Sequence, residues 1–123
     1  MEEVLKIFKE VKENVPQILG LALFDRDGFM IVSLMDIPEY DEEAAAAFHA
    51  DLWYEMNKFI SIMPEEIGGP LRSVVLELGI AYLQMFIIGD YGIMAATTKE
   101  IGMGALRRIV DEMAPRILKV LEE

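Results

Sequence analysis

Along the first stretch of the chain Val4, Leu5, Phe8, Val11 and Val15 recur three and four residues apart, with Lys6, Lys9, Lys12, Glu10 and Glu13 between them. That is the period of an amphipathic helix, predicted here over Glu2–Asn14 and stopped by Pro16. Two apolar runs follow, at 18–24 and 29–34, separated by Asp25-Arg26-Asp27-Gly28. They predict two strands joined by a hairpin that turns at Asp27-Gly28. Both runs are apolar at successive positions instead of alternating, so both faces of their sheet are expected to be covered, with helices on each side.

A turn-like stretch at 35–40, containing Pro38, leads into a long helical segment at 41–63. Asp36 or Asp41 is placed to cap it, and Glu42 and Glu43 suit the positive end of the helix dipole. At about 100° per residue Phe48, Leu52, Met56, Phe59 and Met63 form one stripe, extended by Trp53, Ile60 and His49 on one side and by Ala44 and Ile62 on the other. The resulting arc spans near half the circumference, wider than one packing face needs, so this helix is expected to have two neighbours. Pro64 and Ile67-Gly68-Gly69-Pro70 mark a loop. Runs at 72–78, 80–88 and 93–98 then read as a three-stranded meander turned at Gly79 and at Gly89-Asp90-Tyr91-Gly92.

The last segment, 100–121, places Leu106, Ile109, Val110, Met113, Ile117 and Val120 on one face, with Arg107, Arg108, Asp111, Glu112, Arg116 and Lys119 outside it. Pro115 removes one backbone donor there and is expected to kink or divide the helix. The order α-β-β-α-β-β-β-α predicts an α+β fold, a three-layer α/β/α arrangement around one mainly antiparallel sheet. With no internal repeat, low-complexity tract or linker, residues 1–123 are expected to form a single domain.

Charge narrows the partners. Eleven Lys and Arg against twenty-two Asp and Glu give −11, which disfavours nucleic acid and anionic membrane surfaces. No apolar run reaches the roughly 18 residues of a membrane span, and the charged, helix-like start MEEVLKIFKEVKEN lacks the features of a signal peptide, so a cytoplasmic location without membrane insertion is expected. The absence of cysteine excludes disulfides and thiolate metal sites, and one histidine leaves little for a triad. A mean hydropathy of +0.31 is high for so small a chain, whose surplus apolar surface then points to self-association.

Candidate chemistry is sparse. Asp25-x-Asp27-Gly28 begins like a calcium loop, yet Met30 stands where an EF-hand needs glycine and Asp36 where it needs glutamate, so a plain hairpin turn is expected. Gly102-x-Gly104 opens a helix after a strand, as phosphate loops do, but Arg107 occupies the third glycine position, and close helix–sheet packing is the plainer reading. His49, one helical turn from Trp53, reads as a histidine at the edge of an interface and not as a general base. The methionines at 56, 63 and 113 fill core positions. Asp36, Glu39, Asp41, Glu42 and Glu43 read as a solvated loop and helix start, and the Lys6, Lys9, Lys12 row as helix-surface charge. No catalytic residue, cofactor or metal is assigned, and the chain is not expected to be an enzyme.

VPQILGLALFDRDGFMIVS (15–33), the central helix, the meander ending FIIGDYGIMAATTK (86–99) and the closing helix opening EIGMGALRR (100–108) together resemble the Roadblock family, which includes dynein light chains, bacterial polarity regulators and archaeal relatives. The resemblance covers nearly the whole chain and carries no catalytic signature. It implies a five-stranded sheet ordered 2-1-5-4-3, with the first and third helices on one face and the second on the other. It further implies a homodimer in which two copies join through the third strand, Ser73, Val74, Val75, Leu76 and Glu77, while their second helices pack together. Trp53, Met56, Phe59 and Ile60 of the apolar arc would then belong to the dimer interface, and an open strand edge would be protected.

Roadblock proteins associate with GTPases or serve as assembly platforms, so the resemblance implies a non-catalytic homodimeric interaction module that binds and regulates, or scaffolds, a Ras-like small GTPase. Asp51, Tyr54, Glu55 and Lys58 lie outside or at the margin of the apolar arc and are the candidate GTPase contacts. The alternative is a small-molecule sensor domain with a pocket between sheet and helices. Few polar residues converge in the strands to serve it, Gln84, Ser33 and Tyr82 being the uncharged candidates.

Overall fold

The computed structural model describes residues 1–123. The elements are α1 (Glu2–Asn14), β1 (Ile18–Asp25), β2 (Met30–Met35), α2 (Glu42–Ile60), β3 (Ser73–Glu77), β4 (Ala81–Ile88), β5 (Tyr91–Thr98) and α3 (Met103–Glu122). They build one antiparallel sheet ordered β2-β1-β5-β4-β3 between helical layers, the α+β arrangement predicted from the residue pattern and the strand order implied by the resemblance. No helix is long and apolar enough to cross a membrane.

Local chemistry sets the boundaries. The Asp25 carboxylate accepts the backbone N–H groups of Asp27 (2.9 Å) and Phe29 (3.0 Å), closing the β1–β2 turn over Gly28, whose φ of 91° is strained for any residue with a Cβ. Asp41, not Asp36, caps α2: its carboxylate accepts the Ala44 N–H at 3.0 Å. Tyr91 and Gly92 belong to β5, so the β4–β5 turn is shorter than predicted and consists of Gly89 and Asp90, with Gly89 at φ 63°. Gly92 must lack a side chain because a Cβ there would run into the Phe24 ring.

Register sorts the strand residues into two faces. Leu21, Leu23, Val32, Phe86, Ile88, Ile93 and Ala95 pack beneath α1 and α3. Those helices supply Val4, Ile7, Phe8, Leu106, Val110, Met113 and Ile117, giving a core of 15 buried residues with Ile18. Ile7 falls outside the stripe counted from the sequence, yet it is buried. The opposite face, under α2, holds only Phe24, Trp53, Met85 and Met94 as a buried cluster. The second layer is thus much less filled than the first.

Division of α3 at Pro115 and close packing at its glycines are both overturned. The helix runs unbroken through Pro115, because the buried residues Leu106, Val110, Met113 and Ile117 anchor both sides of the proline to the same core while the pyrrolidine ring stays exposed. Gly102 is its N-cap and Gly104 lies in its first turn, and a Cβ on either would meet nothing within 4 Å. Close helix–sheet packing therefore does not explain these glycines.

Candidate interaction surface

The helix α2 turns a different line inward from the centre of its apolar arc. Its buried residues are Ala46, His49 and Trp53, one margin of that arc. The central stripe lies roughly a quarter-turn away: Leu52, Met56 and Met63 are half-buried, Phe48 and Phe59 exposed, the latter 56%. Trp53, expected in a dimer interface, is 5% exposed and packs against Phe24, Met85 and Met94, with the Arg26 guanidinium 5.1 Å over its ring. It is a core residue of the protomer. Arg26 in turn reaches Asp90 at 3.5 Å, so residues from both neighbouring turns hold the indole in place, a contact invisible to helical periodicity.

Ile60 and Met56 are half-buried and Phe59 is exposed, an apolar flank that the protomer covers only in part. Further round, Asp51, Tyr54, Glu55 and Lys58 are all exposed, Tyr54 by 65%. The Lys58 ammonium lies 5.2 Å over the Tyr54 ring and 3.6 Å from the Glu55 carboxylate. Such exposed pairs add little stability, so these side chains remain free to exchange partners.

The second component is β3, the last strand of the sheet. Ile87 N donates to Arg72 O and Leu78 N to Ala81 O, which fixes the alternation along the β3–β4 pair. Positions 72, 74, 76 and 78 are bonded to β4, and Ser73, Val75 and Glu77 turn their N–H and C=O groups to the free side. That unpaired edge carries Val75, and beyond it Leu78 and Ile80 are exposed, Ile80 by 91%. Large exposed apolar residues therefore gather on α2, its following loop (Ile62, Ile67) and β3 with its turn.

Of two polar residues near α2, His49 is buried and Tyr40 half-buried. His49 is 5% exposed, its ring stacked on Phe24 at 4.3 Å with Nε2 2.7 Å from Met94 Sδ, and burial pushes its pKa down to about 4. It is a neutral core residue and not the interface-edge histidine expected. Burial, reinforced by the Glu42 carboxylate, pushes the Tyr40 phenol up to about 12. Elsewhere the charges behave as surface groups: Lys12 reaches Asp36 at 3.0 Å, giving the acidic loop a cation from α1 that the local sequence did not suggest, and Arg116 reaches Glu10 at 3.0 Å.

A model of the Roadblock/LC7 domain family matches residues 4–98, the chain up to the end of β5. Among solved structures, Myxococcus xanthus MglB superposes with a TM-score of 0.84 at 15% identity, covering 97% of this chain and 94% of that one. A Roadblock/LC7 domain from Streptomyces avermitilis gives 0.80 at 18% identity, over 96% and 97%. An MglB with tetrameric arrangement gives 0.82 at 13%, over 98% and 89%. At these identities the likeness is one of fold. No curated protein matches the chain in sequence.

Proposed function

The chain belongs to the Roadblock/LC7 domain family, and from that premise we propose that it is a non-catalytic homodimeric interaction module that binds and regulates, or scaffolds, a Ras-like small GTPase in the cytoplasm. One observation carries the reading: an unpaired strand edge, β3, lies beside an apolar helix flank that its own protomer leaves half-covered. Edges of this kind invite strand pairing, and a two-fold partner satisfies both at once. In the dimer Ser73–Glu77 pairs with its own copy, while Met56, Phe59 and Ile60 meet their counterparts. Trp53 works from beneath, fixing α2 against the sheet. All of 1–123 acts as one domain, since the stripe of α3 fills the same core as α1.

Pairing two α2 helices sets two copies of Asp51, Tyr54, Glu55 and Lys58 on one side, a polar platform with an aromatic centre. A GTPase has two switch conformations, and a partner that prefers one shifts their equilibrium by the difference in affinity without any catalytic group. Calorimetric titration of a Ras-like GTPase in its GDP and GTP-analogue states tests this. The expected result is unequal affinity, weakened about tenfold or more by Tyr54→Ala or Glu55→Lys with the dimer intact. Equal affinities reduce the role to a scaffold, and no binding to either state overturns the GTPase reading.

A further inference from the structure

The eleven cations of the chain are shared unevenly between its two helical layers. Together α1 and α3 carry seven cations and seven acids, so that layer is electrically balanced. The segment from Ile37 to Leu71, which contains α2 and the loops on either side of it, carries eight acids and a single cation, Lys58. The negative charge of the molecule therefore has a direction, and its field steers a cationic partner to the α2 side.

The solvent face of α2 also offers something to cover. Ala44, Ala47, Phe48 and Tyr54 are exposed along it, an apolar strip bordered by Glu43, Asp51 and Glu55. Spaced three and four residues apart, Asp51, Tyr54, Glu55 and Lys58 are neighbours in one patch. Within it the Lys58 ammonium lies 5.2 Å over the Tyr54 ring and 3.6 Å from the Glu55 carboxylate, so the chain already sets a cation against an aromatic face and a carboxylate. That cation is held weakly, since all three side chains are more than half exposed. Asp51, one turn before Glu55, pairs with no cation.

A guanidinium suits such a patch better than an ammonium, because its plane stacks on an aromatic ring while its fork of N–H groups bonds carboxylates. We propose that the partner docking on this face presents a basic surface, one arginine of which displaces Lys58 from Tyr54 and bonds Asp51 and Glu55 while apolar neighbours cover Ala47 and Phe48. The inference rests on the reading of this face as the partner platform and names the chemistry of that partner. A second copy of the chain does not fit here, since its own α2 brings the same acids, and an anionic surface is repelled.

The probe is a synthetic amphipathic helix of leucine and arginine, with a second version in which lysine replaces every arginine, followed by fluorescence anisotropy in about 0.1 M salt. The arginine version is expected to bind several-fold tighter than the lysine one. Asp51→Asn combined with Glu55→Gln should weaken it about tenfold and Tyr54→Leu several-fold, whereas Lys58→Ala, which removes the resident competitor, should tighten it. Glu13→Gln combined with Glu112→Gln removes the same charge from exposed positions on α1 and α3 and should leave binding unchanged. Equal losses from the two charge pairs mean that the peptide senses net charge alone, and that result, or equal affinity for the two peptides, overturns the inference. A Ras-like GTPase is then titrated in about 20 and 200 mM salt, at concentrations that keep any dimer assembled, and is expected to bind more weakly as salt rises. Tighter binding at the higher salt overturns the basic surface and leaves the GTPase reading standing. The arginine peptide bound on α2 with no GTPase bound does the reverse.

Discussion

Single residues here act chiefly through what surrounds them, and His49 is the plainest case. Free imidazole takes up a proton near pH 6.5, while the folded chain holds His49 neutral down to about 4. Between those values the unfolded chain binds more protons, so stability is complete above pH 6.5 and falls as the solution is acidified toward 4. Removing the imidazole with His49→Phe should flatten that slope: between pH 6.5 and 5 the unmodified protein is expected to lose about 1 to 2 kcal/mol more than the variant. Urea denaturation at several pH values measures it, and parallel curves would mean His49 is protonated in the fold. Gly92 is as sensitive for a different reason. A methyl group there enters the space of the fully buried Phe24 ring, which cannot swing aside, so Gly92→Ala should cost about 1 to 3 kcal/mol. A loss under 0.5 kcal/mol would show that the ring yields.

At the scale of elements, periodicity located all three helices and five strands within a few residues, because each carries an uninterrupted apolar pattern between Pro, Gly and Asp stops. Orientation was harder to read. On α2 the most hydrophobic line runs through Phe48, Leu52, Met56 and Phe59, but the helix seats Ala46, His49 and Trp53 on the sheet. Hydropathy ranks small and polar side chains low, yet close approach rewards them: the β1–β2 turn meets α2 at Gly28, where a Cβ would stand 3.2 Å from that of Ala50. The expected interface residues come from that line and its margin, and of them Phe59 is exposed, Met56 and Ile60 are half-buried and Trp53 is buried. Division of α3 at Pro115 does not occur because the buried stripe on both sides of the proline outweighs one lost hydrogen bond. That cost is still present, so Pro115→Ala should raise stability by about 1 to 3 kcal/mol, seen as a higher unfolding midpoint. A fall instead would mean the ring packs or rigidifies more than its exposure suggests. On β3, Val75→Pro removes a donor that faces outward and takes no part in the bonds to β4, so the protomer should remain folded while its self-association weakens. Circular dichroism and light scattering together separate those effects.

For the whole molecule, two forces of opposite sign meet at the proposed dimer. Each chain carries −11, so a pair carries 2 × (−11) = −22. The surface that is to be joined is no exception, for α2 holds Glu42, Glu43, Asp51 and Glu55 against Lys58 alone. Apolar burial along Met56, Phe59, Ile60 and the β3 edge therefore has to outweigh repulsion between like charges. Repulsion between exposed charges is screened over about 10 Å at 0.1 M salt and reaches much further at low ionic strength, whereas apolar burial barely responds over that range. Sedimentation velocity in about 20 and 200 mM salt should then show the dimer tightening several-fold as salt rises, the reverse of an interface held by ion pairs. A mass near 13.9 kDa under both conditions at micromolar concentration would remove the dimer from the proposal altogether. Weakening with salt would relocate the interface to the charged faces of α1 and α3, where Lys6, Lys9 and Arg108 alternate with acids.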